Sequence, residues 1–306
     1  MGMMKKYFEL FIVLPFLLLW LGLAAIKNFP ISMVDAHNVR FVAYAFISPL
    51  LMAAVAQVPV AVLIKKKAAA VPLLYIPYIT AVGFLHFNFK AWMPLVNPAR
   101  YDDLYLQIDK CFISVVSLFR DFGTLIPPDT AQALYGNLFF AMFLCSFAHH
   151  LALDSLNGFR KVVVGACLIW LVGGISYWAF PALGPFSHSV LTSGVGNTQN
   201  YMLAGYLSIA HTGVIPQGYF ATPPAAMPSL HIAHSCFFTV MALRRVRFLG
   251  AIYVPVFLFI VVFSVALRWH YLVDLPAGLL LAVSAVWAVD RVYGHDPEGN
   301  VKSEIP

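Results

Sequence analysis

Between residues 162 and 243 this chain carries no Asp, Glu, Lys or Arg, and between 248 and 289 it carries only Arg268 and Asp274. Stretches that long without charge do not suit a soluble domain, in which about a quarter of all residues are charged. They do suit a bilayer, whose hydrocarbon core of about 30 Å takes roughly 20 apolar helical residues per crossing. The rest of the chain agrees: its 306 residues are 61% hydrophobic and 10% charged, with a mean hydropathy of +0.82. The expected fold class is all-α, a polytopic transmembrane helical bundle of about eight spans.

Hydropathy places those spans at residues 7–26, 41–64, 71–89, 131–153, 162–183, 228–243, 248–267 and 271–293. The first could be a signal peptide with Lys5-Lys6 as its basic start. Its long apolar run, and the lack of a small-x-small site before Lys27, favour a retained anchor. Even numbers of spans separate Lys5-Lys6, Lys65-Lys66-Lys67, Arg160-Lys161, Arg244-Arg245-Arg247 and Arg291, so these cations share one side. The positive-inside rule makes that side, and both termini, cytoplasmic. The net charge of +6 is thus an orientation signal and calls for no nucleic-acid partner. Four cysteines (Cys111, Cys145, Cys167, Cys236) lack CxxC spacing and read as small core residues. No Asn-x-Ser/Thr acceptor occurs, which fits a bacterial inner membrane.

Three regions follow: N-terminal spans with an interfacial helix (1–130), a core carrying the chemistry (131–293) and a disordered cytoplasmic tail (294–306). Within 90–130, Asp103, Gln107, Lys110, Ser114, Ser117 and Asp121 recur every three or four residues. Leu104, Ile108, Phe112, Val115 and Phe119 fill the other face, the pattern of an amphipathic helix lying in the outer interface. It is either a packing strut or a lid. The 184–227 loop is rich in Gly, Ser, Thr, Asn, Gln and Tyr, a neutral hydrogen-bonding composition that suits a polyol head group or an ordinary exposed loop.

Two stretches stand out against this apolar background: Met227-Pro228-Ser229-Leu230-His231 and Arg268-Trp269-His270-Tyr271-Leu272-Val273-Asp274. Ionisable groups at membrane depth are costly and read as functional by default. His270 and Asp274, four apart, would share one helical face, the carboxylate accepting Nδ1–H and leaving Nε2 with an outward lone pair. Pro228 ahead of the other helix puts His231 in its first turns, where free N–H groups and the positive dipole end can bind phosphate. Two histidines at two helix starts on one membrane side suit in-line displacement at phosphorus, one attacking and one protonating the departing oxygen.

Pro228-Ser229-Leu230-His231 resembles the second signature of the type 2 phosphatidic acid phosphatase superfamily. His270-x-x-x-Asp274, followed by Ala277-Gly278, resembles its third, and the intervening apolar helix matches the family's spacing. The resemblance covers about residues 162–291 and implies a six-helix lipid-phosphatase-like core. It also implies His270 as a nucleophile forming phosphohistidine, Asp274 as its orienting carboxylate and His231 as general acid–base. The phosphatase branch has a first signature with Lys and Arg ahead of a proline; here Phe180-Pro181-Ala182-Leu183-Gly184-Pro185 offers no cation. That branch also places an Arg six residues before the nucleophile, where this chain has Ser264. Loss of those cations is similar to the branch of fungal inositol phosphorylceramide synthases and sphingomyelin synthases. That branch implies a phospholipid or polyprenyl-phosphate donor, a lipid or polyol acceptor, and no cofactor.

The remaining phosphate-binding candidates are Arg268, Ser229, Pro228 and His234. Arg268 could instead be a snorkelling interfacial arginine, and His234 a polar packing contact. Lys90, Arg100, Lys110 and Arg120 lie on the same outer side, and His86 sits near the outer end of its span. His231, His234, His270 and Asp274 could surround zinc, but the resemblance accounts for three of the four without a metal. Two other functions compete: a lipid phosphate or polyprenyl-diphosphate phosphatase using water at the same site, and a lipid or solute transporter. Transport sites sit near the bilayer midplane on broken helices, whereas these groups lie at the outer ends of their spans.

Overall fold

In hydrocarbon every backbone N–H and C=O must be paired within its own segment, which leaves helices for a chain of apolar runs. The computed structural model describes residues 8–33, 70–188, 196–220 and 223–294. Among these residues all regular structure is helical, with no strand. The helices are α1 (Phe8–Lys27), α2 (Ala70–Ala91), α3 (Met93–Val96), α4 (Asp102–Cys111), α5 (Ile113–Gly123) and α6 (Pro128–Leu153). They continue with α7 (Leu156–Ala179), α8 (Asn197–Thr212), α9 (Leu230–Arg245), α10 (Arg247–Ala266) and α11 (Asp274–Tyr293). A 3-10 turn covers Pro185–Ser187.

Five described segments are long and apolar enough to cross a membrane: Phe8–Lys27, Pro128–His150, Asn157–Ala179, Arg247–Ala266 and Asp274–Tyr293. The segments expected as spans at 71–89 and 228–243 are helical, as α2 and α9, but are not among these five. The 16 residues of α9 rise about 24 Å, short of a full crossing. The expected span at 41–64 and the tail from residue 295 lie outside the described residues.

Helix α9 is central, packing against α6, α7, α10 and α11; α2 lies on α7, and α1 on α2. Small residues allow these approaches. A Cβ on Gly165 would meet Phe237 of α9, and one on Gly278 of α11 would lie 2.5 Å from the Ser229 carbonyl oxygen. The outer surface is apolar, with Leu18, Phe248, Leu280 and Trp287 all exposed. That is the inverse of a soluble bundle and the surface a bilayer would cover.

One end of the bundle is held by ion pairs. Arg160 bonds Glu9 (2.6 Å), Lys161 and Arg244 bond opposite oxygens of Asp290 (2.9 Å each), and Arg245 with His150 bonds Asp154. Of the cations expected on one side, Arg160, Lys161, Arg244 and Arg245 gather at one end, where α7 begins and α9 and α11 finish; Lys5-Lys6 and Lys65-Lys66-Lys67 lie outside the described residues. His231 and His270 lie at the other end, where α9 and α11 start.

The interfacial segment differs from expectation. It is two helices broken at Phe112 (φ −117°, ψ 32°). Of its apolar face Leu104, Phe112 and Val115 are exposed while Ile108 and Phe119 are half-buried against the bundle, and its polar residues Asp103, Gln107, Lys110, Ser114, Ser117 and Asp121 are exposed as well. Facing the bundle are Asp102, Tyr105, Asp109 and Val116, all buried. The two buried acids find backbone N–H donors there, which offsets the cost of removing their charge from water.

Candidate active site

After α10 the chain reverses through Arg268, which takes a positive φ of 62°. The backbone N–H groups of Trp269 and His270 both donate to the Ser264 carbonyl, at 3.1 and 3.0 Å. His270 thus sits in a turn ahead of α11, not on the helical face it was expected to share with Asp274. The turn still joins them. Asp274 N–H donates to Tyr271 O at 3.1 Å, and Tyr271 N–H donates to Asp274 Oδ2 at 2.8 Å.

His270 Nδ1 lies 3.0 Å from Ala226 O and 3.3 Å from Asp274 Oδ2. A carbonyl oxygen can only accept, so Nδ1 carries the proton and Nε2 presents its lone pair. Both residues are buried, and Asp274 Oδ1 has no hydrogen-bond partner among the described residues.

Helix α9 brings the second histidine. Ser229 caps it, its hydroxyl accepting Ile232 N–H at 3.3 Å, so His231 falls in the first turn. Ser229 N–H donates to Asp274 O at 3.2 Å, tying the two motifs together. The His231 ring packs at a tilt against Phe139 and Tyr135, with centroids 4.4 and 4.8 Å away. Its centroid lies 5.9 Å from that of His270 at an interplanar angle of 66°.

Both histidines line a cavity of about 260 Å³. Its wall is rich in aromatic rings, including Phe139, Phe143, Trp170 and Tyr177, and among the described residues Lys90 is the only Lys or Arg on it. His86 lines it too, with Nδ1 2.9 Å from Trp170 O. From the neutral polar loop only Thr198 contributes a polar side chain among the described residues; Met202, Pro223 and Pro224 are its other contacts.

The four expected phosphate-binding residues are not on this wall. Ser229 spends its hydroxyl on the α9 cap, and Pro228 is buried in the segment leading to it. His234 points to α7: its Nδ1 is 2.9 Å from Leu230 O and its Nε2 3.1 Å from Ala166 O. With both ring nitrogens on carbonyls, it cannot join His231, His270 and Asp274 around a common centre. Arg268 serves the turn, its carbonyl accepting Phe186 N–H at 3.2 Å.

What the sequence did not point to is Asp102. Its Oδ1 accepts Leu183 N–H and Gly184 N–H at 3.0 Å each and the Tyr271 hydroxyl at 2.9 Å; its Oδ2 accepts Arg100 Nε–H at 3.0 Å. Burial and the neighbouring Asp102 push the Tyr271 phenol far above its usual range, so it remains the donor. The clamped segment passes the restraint on, since Ala182 O accepts Ala226 N–H at 2.8 Å and Ala226 O accepts from His270. Asp109 holds the same turn from one helical face further along, accepting Leu272 N–H at 2.8 Å. The available signal was spacing: Asp102, Tyr105 and Asp109 recur on one stripe of α4.

An all-helical protein with membrane-crossing helices, and two histidines facing one cavity beside a buried carboxylate, defines a class of membrane-embedded proteins built for acid–base or nucleophilic chemistry. A family model described as the PAP2 superfamily matches residues 128–288. The chain belongs to that superfamily, which supports a phosphatase-type enzyme. Comparison with curated proteins and with solved structures found no match.

Proposed function

We propose that the protein transfers a phosphorylated head group, of inositol or other polyol type, between lipids through a phosphohistidine at His270. The observation that carries this reading is the 5.9 Å separation of the His231 and His270 rings across one cavity, with His270 Nδ1 already committed. In the first step His270 Nε2 attacks phosphorus, the bond to the lipid oxygen breaks, and His231 protonates that oxygen. In the second, neutral His231 takes the proton of an acceptor hydroxyl, whose oxygen attacks phosphorus and releases His270. Asp274 and Ala226 O hold Nδ1–H throughout and stabilise the positive charge that Nε2 acquires on attack.

Charge favours a diester over a monoester as the donor. A monoester is a dianion, and a cavity with one ammonium and walls rich in aromatic rings neutralises only a single negative charge. The polyol assignment rests on the composition of the 184–227 loop, with Thr198 and Gln132 as the hydroxyl and amide that line the cavity. We place the site on the extracytoplasmic face of a bacterial inner membrane, because the basic clusters lie at the opposite end of the bundle.

His270→Ala should abolish turnover without changing expression or membrane insertion, and His231→Ala should lower it while sparing donors with a better leaving group. Mass spectrometry of lipids made by purified protein from a mixed extract reads both; undiminished turnover in His270→Ala refutes the mechanism. A second reading, favoured by superfamily membership, makes water the acceptor. Release of inorganic phosphate from a lipid phosphate without any alcohol would select it.

A further inference from the structure

The last turns of α2 lie before the segment that matches the superfamily, yet they reach the cavity. His86 and Lys90 are four residues apart and share a face. His86 is fixed at Trp170 O, and the end of α2 is pinned by Trp178 Nε1–H donating to Phe89 O at 2.8 Å. The Lys90 ammonium lies 5.7 Å from the centroid of the Tyr177 ring and makes no ion pair among the described residues. From another helix comes Tyr135, 2% exposed, lining the same cavity, with its hydroxyl buried and without a hydrogen-bond partner among the described residues.

Each group is costly as it stands. A phenol removed from water with no acceptor loses its hydrogen bonds, and an ammonium among aromatic rings keeps only part of its solvation through the ring face. A single kind of ligand relieves both: an anion with several acceptor oxygens. A neutral alcohol would satisfy Tyr135 and leave Lys90 uncompensated. A phosphoryl group between the two histidines presents non-bridging oxygens that can accept from both donors at once.

We propose that Lys90 and the Tyr135 hydroxyl form the binding site for the non-bridging oxygens of the substrate phosphate. The assignment rests on the phosphoryl-transfer reading of the cavity. Lys90 supplies positive charge from outside the family segment, in a chain whose Phe180–Pro185 region has none. One ammonium and one neutral hydroxyl set the preferred ligand charge near −1.

The test is binding of orthovanadate and inorganic phosphate to the purified full-length protein in detergent, read from ligand-dependent thermal stabilisation and independent of turnover. Lys90→Met should weaken both about 10-fold or more, Lys90→Arg should recover part of the loss, and Tyr135→Phe should cost several-fold. Wild-type affinity in folded Lys90→Met overturns the proposal, as does unchanged affinity in Tyr135→Phe for the hydroxyl. His270→Ala separates the two readings. If it still turns over lipid while Lys90→Met loses phosphate, the phosphohistidine mechanism falls and the anion site stands. If it is inactive while Lys90→Met binds normally, the reverse holds.

Discussion

Replacing Asp102 with alanine tests whether the turn carrying His270 is held from outside the motif. The carboxylate is buried and takes three donors that have no water to turn to: Leu183 N–H, Gly184 N–H and the Tyr271 hydroxyl. A buried donor left unpaired costs about 1–3 kcal/mol, so three give roughly 3–9 kcal/mol before relaxation. Water entering the vacated space would satisfy part of this, leaving about 3–5 kcal/mol. That corresponds to a fall of roughly 10 °C in melting temperature. Activity should suffer as well, because Ala226 O is positioned through Ala182 on the clamped segment and accepts from His270 Nδ1. A misplacement of about 1 Å costs on the order of 100-fold in rate. Melting in detergent and steady-state turnover on the same preparation measure both effects. Asp102→Asn keeps an acceptor near the three donors but turns its amide toward Arg100, so it should fall between wild type and alanine. An Asp102→Ala protein that melts within about 2 °C of wild type and keeps more than half its turnover would refute the reasoning.

The second clamp titrates. Burial raises the Asp109 carboxyl from its ordinary 3.8 to about 6, so the folded protein binds a proton between these values when the unfolded chain does not. Its contribution to stability is therefore greatest at the acid end, declines as pH rises from about 4 to 6, and is flat above. Asp109→Asn removes that decline, so its melting temperature should gain on wild type across this window; a constant difference contradicts the assignment. Gly184 adopts φ +115°, and a Cβ there would collide with the Trp269 carbonyl oxygen. Gly184→Ala should therefore displace the turn ahead of His270 and lower both folded yield and turnover, and an unaffected variant would show that the turn tolerates the shift.

The class of fold was legible because absence of charge over whole helix lengths admits few alternatives. The His270–Asp274 pairing was legible for a reason that outlived its own geometry. Four-residue spacing brings side chains together on a helix, and the 270–274 turn does the same with different backbone bonds. The lining of the cavity was harder to read. Arg268 and Ser229 adjoin the motif in sequence, but one lies in the turn that reverses the chain and the other spends its hydroxyl on a helix cap. Lys90 and Tyr135 reach the cavity only because α2 lies on α7 and α6 on α9, and helix–helix packing leaves no mark in a single chain's periodicity. The amphipathic segment misled through its own symmetry. Neither of its two stripes is the one that meets the bundle: Leu104, Phe112 and Val115 are exposed, the polar residues from Asp103 to Asp121 are exposed too, and the contacts come from Asp102, Tyr105, Asp109 and Val116 between them.

The two inward acids bear on how the proposed mechanism would separate two electrostatic tasks. Holding the His270 turn calls for carboxylates, because the groups to be held are N–H and O–H donors; Asp102, Asp109 and Asp274 each take at least one. Binding a phosphate calls for the opposite charge, and a carboxylate near the phosphorus would oppose it. The structure keeps the two apart. Asp102 and Asp109 grip the turn from α4, and among the described residues no Asp or Glu lines the cavity. Asp274 is the exception by proximity, and it faces the cavity only through the imidazole of His270. A negative charge placed behind a neutral ring strengthens that ring's lone pair, and in the proposed mechanism the imidazole, not the acid, meets the anion.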